Sequence, residues 1–171
     1  PLYKVYCGIA GSKATAEKMA STAQPKLAGN ILGKDDKPYV SALGIPATQF
    51  SITGPKTQVE TIKAAYDHAG KAVGTLVDFW EAQSSGQASS VSLATMKADI
   101  AAAKSALAGI TPDVALTGAY NSAVTLLTSV EDAVAGAEAS VGGDSQKGVT
   151  AMQSFITCVD SFMTEIKNAA G

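Results

Sequence analysis

Residues 116–137 read Leu116-Thr117-Gly118-Ala119-Tyr120-Asn121-Ser122-Ala123-Val124-Thr125-Leu126-Leu127-Thr128-Ser129-Val130-Glu131-Asp132-Ala133-Val134-Ala135-Gly136-Ala137. Within this stretch Leu116, Tyr120, Ala123, Leu127, Val130, Val134 and Ala137 recur at alternating steps of four and three. Residues spaced that way share one face of an α-helix, so the stretch predicts an amphipathic helix with one apolar seam. The pattern occurs three more times. Upstream it runs through Val59, Ile62, Tyr66, Ala69, Val73, Leu76 and Trp80, then through Leu93, Met96, Ile100, Ala103 and Leu107. Downstream it runs through Val149, Met152, Ile156, Val159, Met163 and Ile166. Each seam needs a partner, and four such helices can serve one another.

The boundaries of these segments carry their own chemistry. Gly54-Pro55 offers a permissive cap and a proline suited to a first turn. Gly109 stands where a left-handed residue would close the second helix. Thr111-Pro112-Asp113 then supplies a capping hydroxyl, a first-turn proline and an acid at the positive end of the helix dipole. Gly142-Gly143 would close the third helix and Asp144 would cap the fourth. The connections near 84–91, 109–111 and 140–144 are short, and short connections make neighbouring helices antiparallel. The expected fold is mainly α: an antiparallel up-down-up-down four-helix bundle over about 55–169, within a single domain spanning 1–171.

Ahead of residue 55 the signal changes. Leu2–Tyr6 and Gln49–Ile52 alternate weakly and read as extended. Between them Ser12 to about Gln24 reads as a short helix ending at Pro25, and Asn30–Pro46 as irregular chain. Gly8-Ile9-Ala10-Gly11-Ser12-Lys13 lacks phosphate-loop spacing and reads as a turn into that helix. Segment 1–54 is expected to wrap one side or end of the bundle, or to dock on a neighbouring subunit as an arm.

Composition narrows the function. The chain has 13 lysines and no arginine, one histidine and a net charge of −2. Charged residues are 16% of the total, against roughly 25% in soluble domains at large. Ser, Thr, Ala and Gly take their place, which favours a secreted or luminal protein over a cytosolic enzyme. No lysine falls between Lys104 and Lys147, so the clustered cations that nucleic-acid binding requires are missing. No apolar run is long enough to span a membrane. Pro1 is consistent with a processed terminus.

The reactive side chains are few. His68 lies off its seam beside Ala69, and Gly70 and Gly74 thin the helix there, so a large group could approach the backbone. Trp80, Phe155 and Phe162 add aromatic area; Phe155, Cys158 and Phe162 widen the fourth apolar stripe. These six, His68, Gly70, Gly74, Trp80, Phe155 and Phe162, are the candidate ligand-binding residues for a bound lipid or pigment. The stretch Lys63–Lys71, with Thr111-Pro112-Asp113 and Tyr120-Asn121-Ser122, faintly resembles the peridinin–chlorophyll proteins of dinoflagellates. That resemblance implies an Ala-rich helical carrier with a chlorophyll-associated His; it covers two short helical stretches and assigns no family. Pro1-Leu2-Tyr3 is similar to the start of tautomerase-family chains, which implies a basic N-terminal amine. That family's usual Arg is absent, and four bundle helices fit its fold poorly.

No catalytic residue and no metal site emerge, since one His and two Cys lack ligand spacing. A Cys7–Cys158 disulfide would close about 150 residues and contribute on the order of 5 kcal/mol; two separate thiols are the reading slightly favoured. The expected role is a non-catalytic structural or interaction protein that associates with copies of itself or another protein. The alternative is a carrier of an apolar small molecule.

Overall fold

The computed structural model describes residues 8–30, 32–42, 51–87, 92–141 and 145–170. Among them the chain forms five α-helices, α1 Lys13–Leu27, α2 Lys56–Ser84, α3 Leu93–Ala108, α4 Thr117–Ser140 and α5 Ser145–Ala170. A 3-10 turn at Val114–Leu116 leads into α4. No described residue lies in a strand; one isolated bridge links Ala28 to Leu32. The protein is a mainly α helical bundle. Of the two expected extended pieces, Leu2–Tyr6 and Gln49-Phe50 lie outside the described residues, and Ser51-Ile52 form no strand.

Two compact units divide the chain, and α2 contributes to both. One comprises Ile45–Leu76 with Ser92–Gly171, the other Pro1–Gly44 with Val77–Val91. In the larger unit the predicted seams of α2 and α3 are buried at Ile62, Tyr66, Ala69, Val73 and Leu76, and at Met96, Ile100, Ala103 and Leu107, while Val59 and Leu93 are half-buried and α2 also buries Ala65 and Ala72. Helix α4 buries more than its seam. Ala119, Ser122, Leu126 and Ala133 join Ala123, Leu127, Val130, Val134 and Ala137, because α4 is enclosed from several sides. Lys97 pairs with Glu138 at 3.0 Å and Lys104 with Glu131, so α3 and α4 run antiparallel. The Tyr66 hydroxyl donates to the Ala119 carbonyl at 3.2 Å, tying α2 to α4. On α5's side, a Cβ on Gly136 would sit 3.3 Å from Ala151 Cα. The missing side chain lets the two backbones close in.

Two boundary expectations need correction. Gly109 is not left-handed: φ is −77°, and its N–H donates back to the Ser105 and Ala106 carbonyls. Among the described residues the glycines with positive φ are Gly29 at 79° and Gly86 at 69°. Gly86 closes α2 with paired bonds, Gln87 N–H to Ala82 O and Gly86 N–H to Gln83 O, a Schellman arrangement. Thr111 does not cap α4. Asp113 caps the preceding 3-10 turn, its carboxylate accepting from Ala115 N–H at 3.0 Å, and α4 itself follows Leu116 without a side-chain cap. Gly142, Gly143 and Asp144 lie outside the described residues.

The seam on α5 is also rotated from its expected position. Its buried face is Ala151, Phe155, Cys158, Val159, Phe162, Ile166 and Ala169. Met152, Ile156 and Met163 are half-buried, and Val149 is 54% exposed. Two stripes with the same spacing compete on this helix. The one carrying both phenylalanines buries more apolar area, and its small Ala151 lets α4 approach.

In the smaller unit, α1 runs past Pro25 rather than stopping before it. Proline removes a single donor near the helix end, and Ala28 N–H still reaches Gln24 O at 2.9 Å. Ser12 caps α1, its hydroxyl accepting from Thr15 N–H. None of the fifteen residues of α1 is buried. Residues 30 and 32–42 are irregular, as expected, with Asp36 accepting from Gly33 N–H.

Candidate functional site

His68 lines a groove of about 340 Å³ between α2 and α3, with Glu60, Thr61, Ala64, Ala65, Ala102, Ala103 and Ala106. Alanines at helical spacing on both helices make its floor shallow. The imidazole is half-buried, and Glu60, at the groove, pairs with Lys56 at 3.8 Å on the solvent side. The groove therefore offers apolar surface edged by one imidazole and one carboxylate. Among the described residues no three His, Cys, Asp or Glu side chains come together to hold a metal.

The remaining candidates do not converge on it. Gly70 is half-buried, whereas Gly74 is exposed with nothing within 4 Å of a Cβ built there. A ligand-sized void is thus not what Gly74 opens onto; it faces solvent. Phe155 and Phe162 are 3% and 0% exposed and fill the buried face of α5. Trp80 belongs to the smaller unit. It is 3% exposed, packs edge-on against Phe79 with ring centroids 5.1 Å apart, and leaves its indole N–H without an acceptor. A buried donor left unmade costs about 1–3 kcal/mol, and among the described residues this N–H is the buried side-chain group without a partner. Cys158 is a free, fully buried thiol; Cys7 and Pro1 lie outside the described residues.

Among the described residues two groups have their titration moved by the fold, and both become less reactive. Burial pushes the Cys158 thiol up to about 12, with the Asp132 carboxylate adding to the shift. Burial likewise pushes the Tyr66 hydroxyl up to about 12; a hydrogen bond with Ser122 opposes this and Glu165 adds to it. A nucleophile or general base needs the opposite displacement.

Sequence reading passed over two residues that organise the chain. Gln58 bridges to the segment between α3 and α4. Its Nε2 donates to Thr111 O at 3.1 Å and its Oε1 accepts from Asp113 N–H at 2.8 Å. A glutamine in a first helical turn gives no signal of this in the sequence. Glu81 is the other: its Oε2 accepts from Gly11 N–H at 2.5 Å, seventy residues away in sequence. A readable signal did exist for two caps, the repeated Ser-x-x-Thr of Ser12–Thr15 and Ser92–Thr95, in which each Ser hydroxyl accepts from the Thr N–H. No protein-family model, curated protein or solved structure matches the chain.

Proposed function

We propose that this chain is a non-catalytic helical-bundle protein with a structural or interaction role that associates with further copies of itself. The observation that carries the reading is the flank of α5. Val149, Met152, Ile156 and Met163 line it at helical spacing, exposed or half-buried, and Asp160 is the one charged residue between Lys147 and Glu165. The hydroxyls beside them are already used: Thr150, Ser154, Thr157 and Thr164 donate to carbonyls four residues back in the same helix. Such a face is less polar than its sequence suggests and loses few water contacts when covered. The up-down-up-down order belongs to the same proposal, on the support of the antiparallel α3–α4 pairing. Sedimentation over a concentration series tests the reading. The wild type should self-associate, and Ile156→Lys with Met163→Lys should hold it monomeric. A wild type that stays monomeric at every concentration refutes it.

A second reading, a carrier of a lipid or pigment, rests on the Trp80 N–H, a buried donor that a ligand acceptor would satisfy. Native mass spectrometry of the purified protein would show the retained molecule; a bare mass refutes it. The sparse charge supports placing the protein in a secreted or luminal compartment. Among the described residues no helix is long and apolar enough to cross a membrane.

A further inference from the structure

Segment Gly8–Leu27 is held in an unusual way. Gly8 to Gly11 crosses one flank of α2, where Cβ positions on Gly8 and Gly11 would approach Ser84 and Val77. Met19 of α1 folds back over Gly8 and occupies the space a Cβ would need. The hydrogen bond that fastens the crossing is Gly11 N–H to the Glu81 carboxylate. That carboxylate lies just before the first turn of α1, where the helix dipole also favours negative charge. Beyond this, α1 buries no residue, and its ion pair, Lys13–Glu17, is internal and exposed. Elements with few buried contacts open locally, well below the free energy of global unfolding.

We propose that residues 8–27 form a strap that opens from α2 while the bundle stays folded, with Glu81 as its latch. Opening frees Val77, Glu81 and Ser84 on α2 and releases α1 as a tethered arm. The use of that arm in assembly rests on the self-association proposed above; the opening does not, and is read on dilute protein. Glu81 is a positioning residue, acting through the backbone of Gly11. Removing a charge-assisted bond of this kind raises an opening equilibrium by about tenfold.

Hydrogen exchange followed by mass spectrometry tests this on the full chain, comparing peptides from 13–27 with peptides from 119–137. In the wild type, α1 amides should exchange through an opening that denaturant affects little, whereas α4 amides exchange through global unfolding. Glu81→Ala should speed α1 exchange by about tenfold and leave α4 unchanged. Glu81→Gln keeps an acceptor without the charge and should fall between. Asp78→Asn, three residues earlier on α2, should change nothing. Gly8→Ala displaces Met19 and should open the strap by a second route. Exchange of α1 and α4 with one common denaturant dependence overturns the strap, and an unchanged α1 rate in Glu81→Ala overturns the latch.

Discussion

Gln58→Met keeps the length of the side chain and deletes both of its hydrogen bonds. In the wild type, the carboxamide holds the chain at two successive points, the Thr111 carbonyl and the Asp113 N–H. The orientation of the amide is forced, since a backbone carbonyl can only accept and a backbone N–H can only donate. What it positions matters for the core. Asp113 starts the 3-10 turn, and Leu116 at the end of that turn is 0% exposed. Leu116 packs so closely on Gly54 that a Cβ there would lie 2.7 Å from Leu116 Cδ1. Two neutral hydrogen bonds at a half-buried site, where water can replace part of each, should be worth about 1–2 kcal/mol together. Gln58→Glu should cost at least as much at neutral pH. It keeps the acceptor for Asp113 N–H but turns an anion towards the Thr111 carbonyl. Urea unfolding measures the effect as a shift in midpoint at constant slope. A loss under about 0.3 kcal/mol in Gln58→Met, or a Gln58→Glu variant as stable as wild type, would refute the clamp.

The glycines of α2 and α4 should respond with opposite signs. Gly74→Ala, in open space within a helix, should stabilise by about 0.5–1 kcal/mol. Gly136→Ala gains the same propensity but presses on the backbone of α5, and thermal unfolding should show a net loss of about 1 kcal/mol. Phe162→Ala should cost about 3–5 kcal/mol while Val149→Ala stays within about 0.5 kcal/mol, a contrast that reverses if the seam through Val149 is the buried one. Alkaline titration should unfold the protein early. Cys158 and Tyr66 both carry folded values raised to about 12, from 9.0 and 10.0. Their contribution is complete below the unfolded values and is lost as pH climbs towards the folded ones. Following circular dichroism against pH, Cys158→Ala with Tyr66→Phe should flatten that decline. At pH 8 the folded thiol should resist iodoacetamide and react once urea unfolds the chain.

Periodicity made the helices legible, and its failures trace to what periodicity does not encode. On α2, α3 and α4 spacing finds most of one buried stripe, but not the further residues that α2 and α4 bury beside it, Ala65, Ala72 and Phe79 and Ala119, Leu126 and Ala133. On α5 two stripes overlap, and the choice between them depends on which side the small residues Gly136 and Ala151 can meet. That is a property of two helices, and neither sequence segment carries it. Gly109 shows the same limit for backbone. A glycine after a helix permits the left-handed turn without requiring it, and here the chain continues right-handed through Ile110, whose N–H bonds Leu107 O. In the sequence Gly54 offers freedom beside a proline, yet its closer constraint is Leu116, sixty-two residues on. Of the candidate site residues, His68 alone lines the described groove, because an off-seam position next to small residues is where two helix surfaces part.

The hydroxyl-rich composition links the fold to the proposed role. A surface that replaces charge with Ser and Thr would ordinarily be expected to bind water strongly. In this chain the hydroxyls of Ser21, Thr22, Thr61, Thr75 and Thr128 donate to their own helices, as do those along α5. Each such bond removes a donor from solvent and leaves a methyl or methylene facing out. Helix faces of this type have little long-range repulsion to keep copies apart at a net charge of −2. They also have few groups whose desolvation would oppose contact. If that is what drives association, raising the salt concentration should leave the monomer–oligomer equilibrium nearly unchanged, since salt weakens only charge-based contacts between exposed groups. Sedimentation at low and high salt would measure it, and dissociation of the oligomer by salt would show that the lysines and carboxylates, not the hydroxyl and methyl faces, hold the copies together.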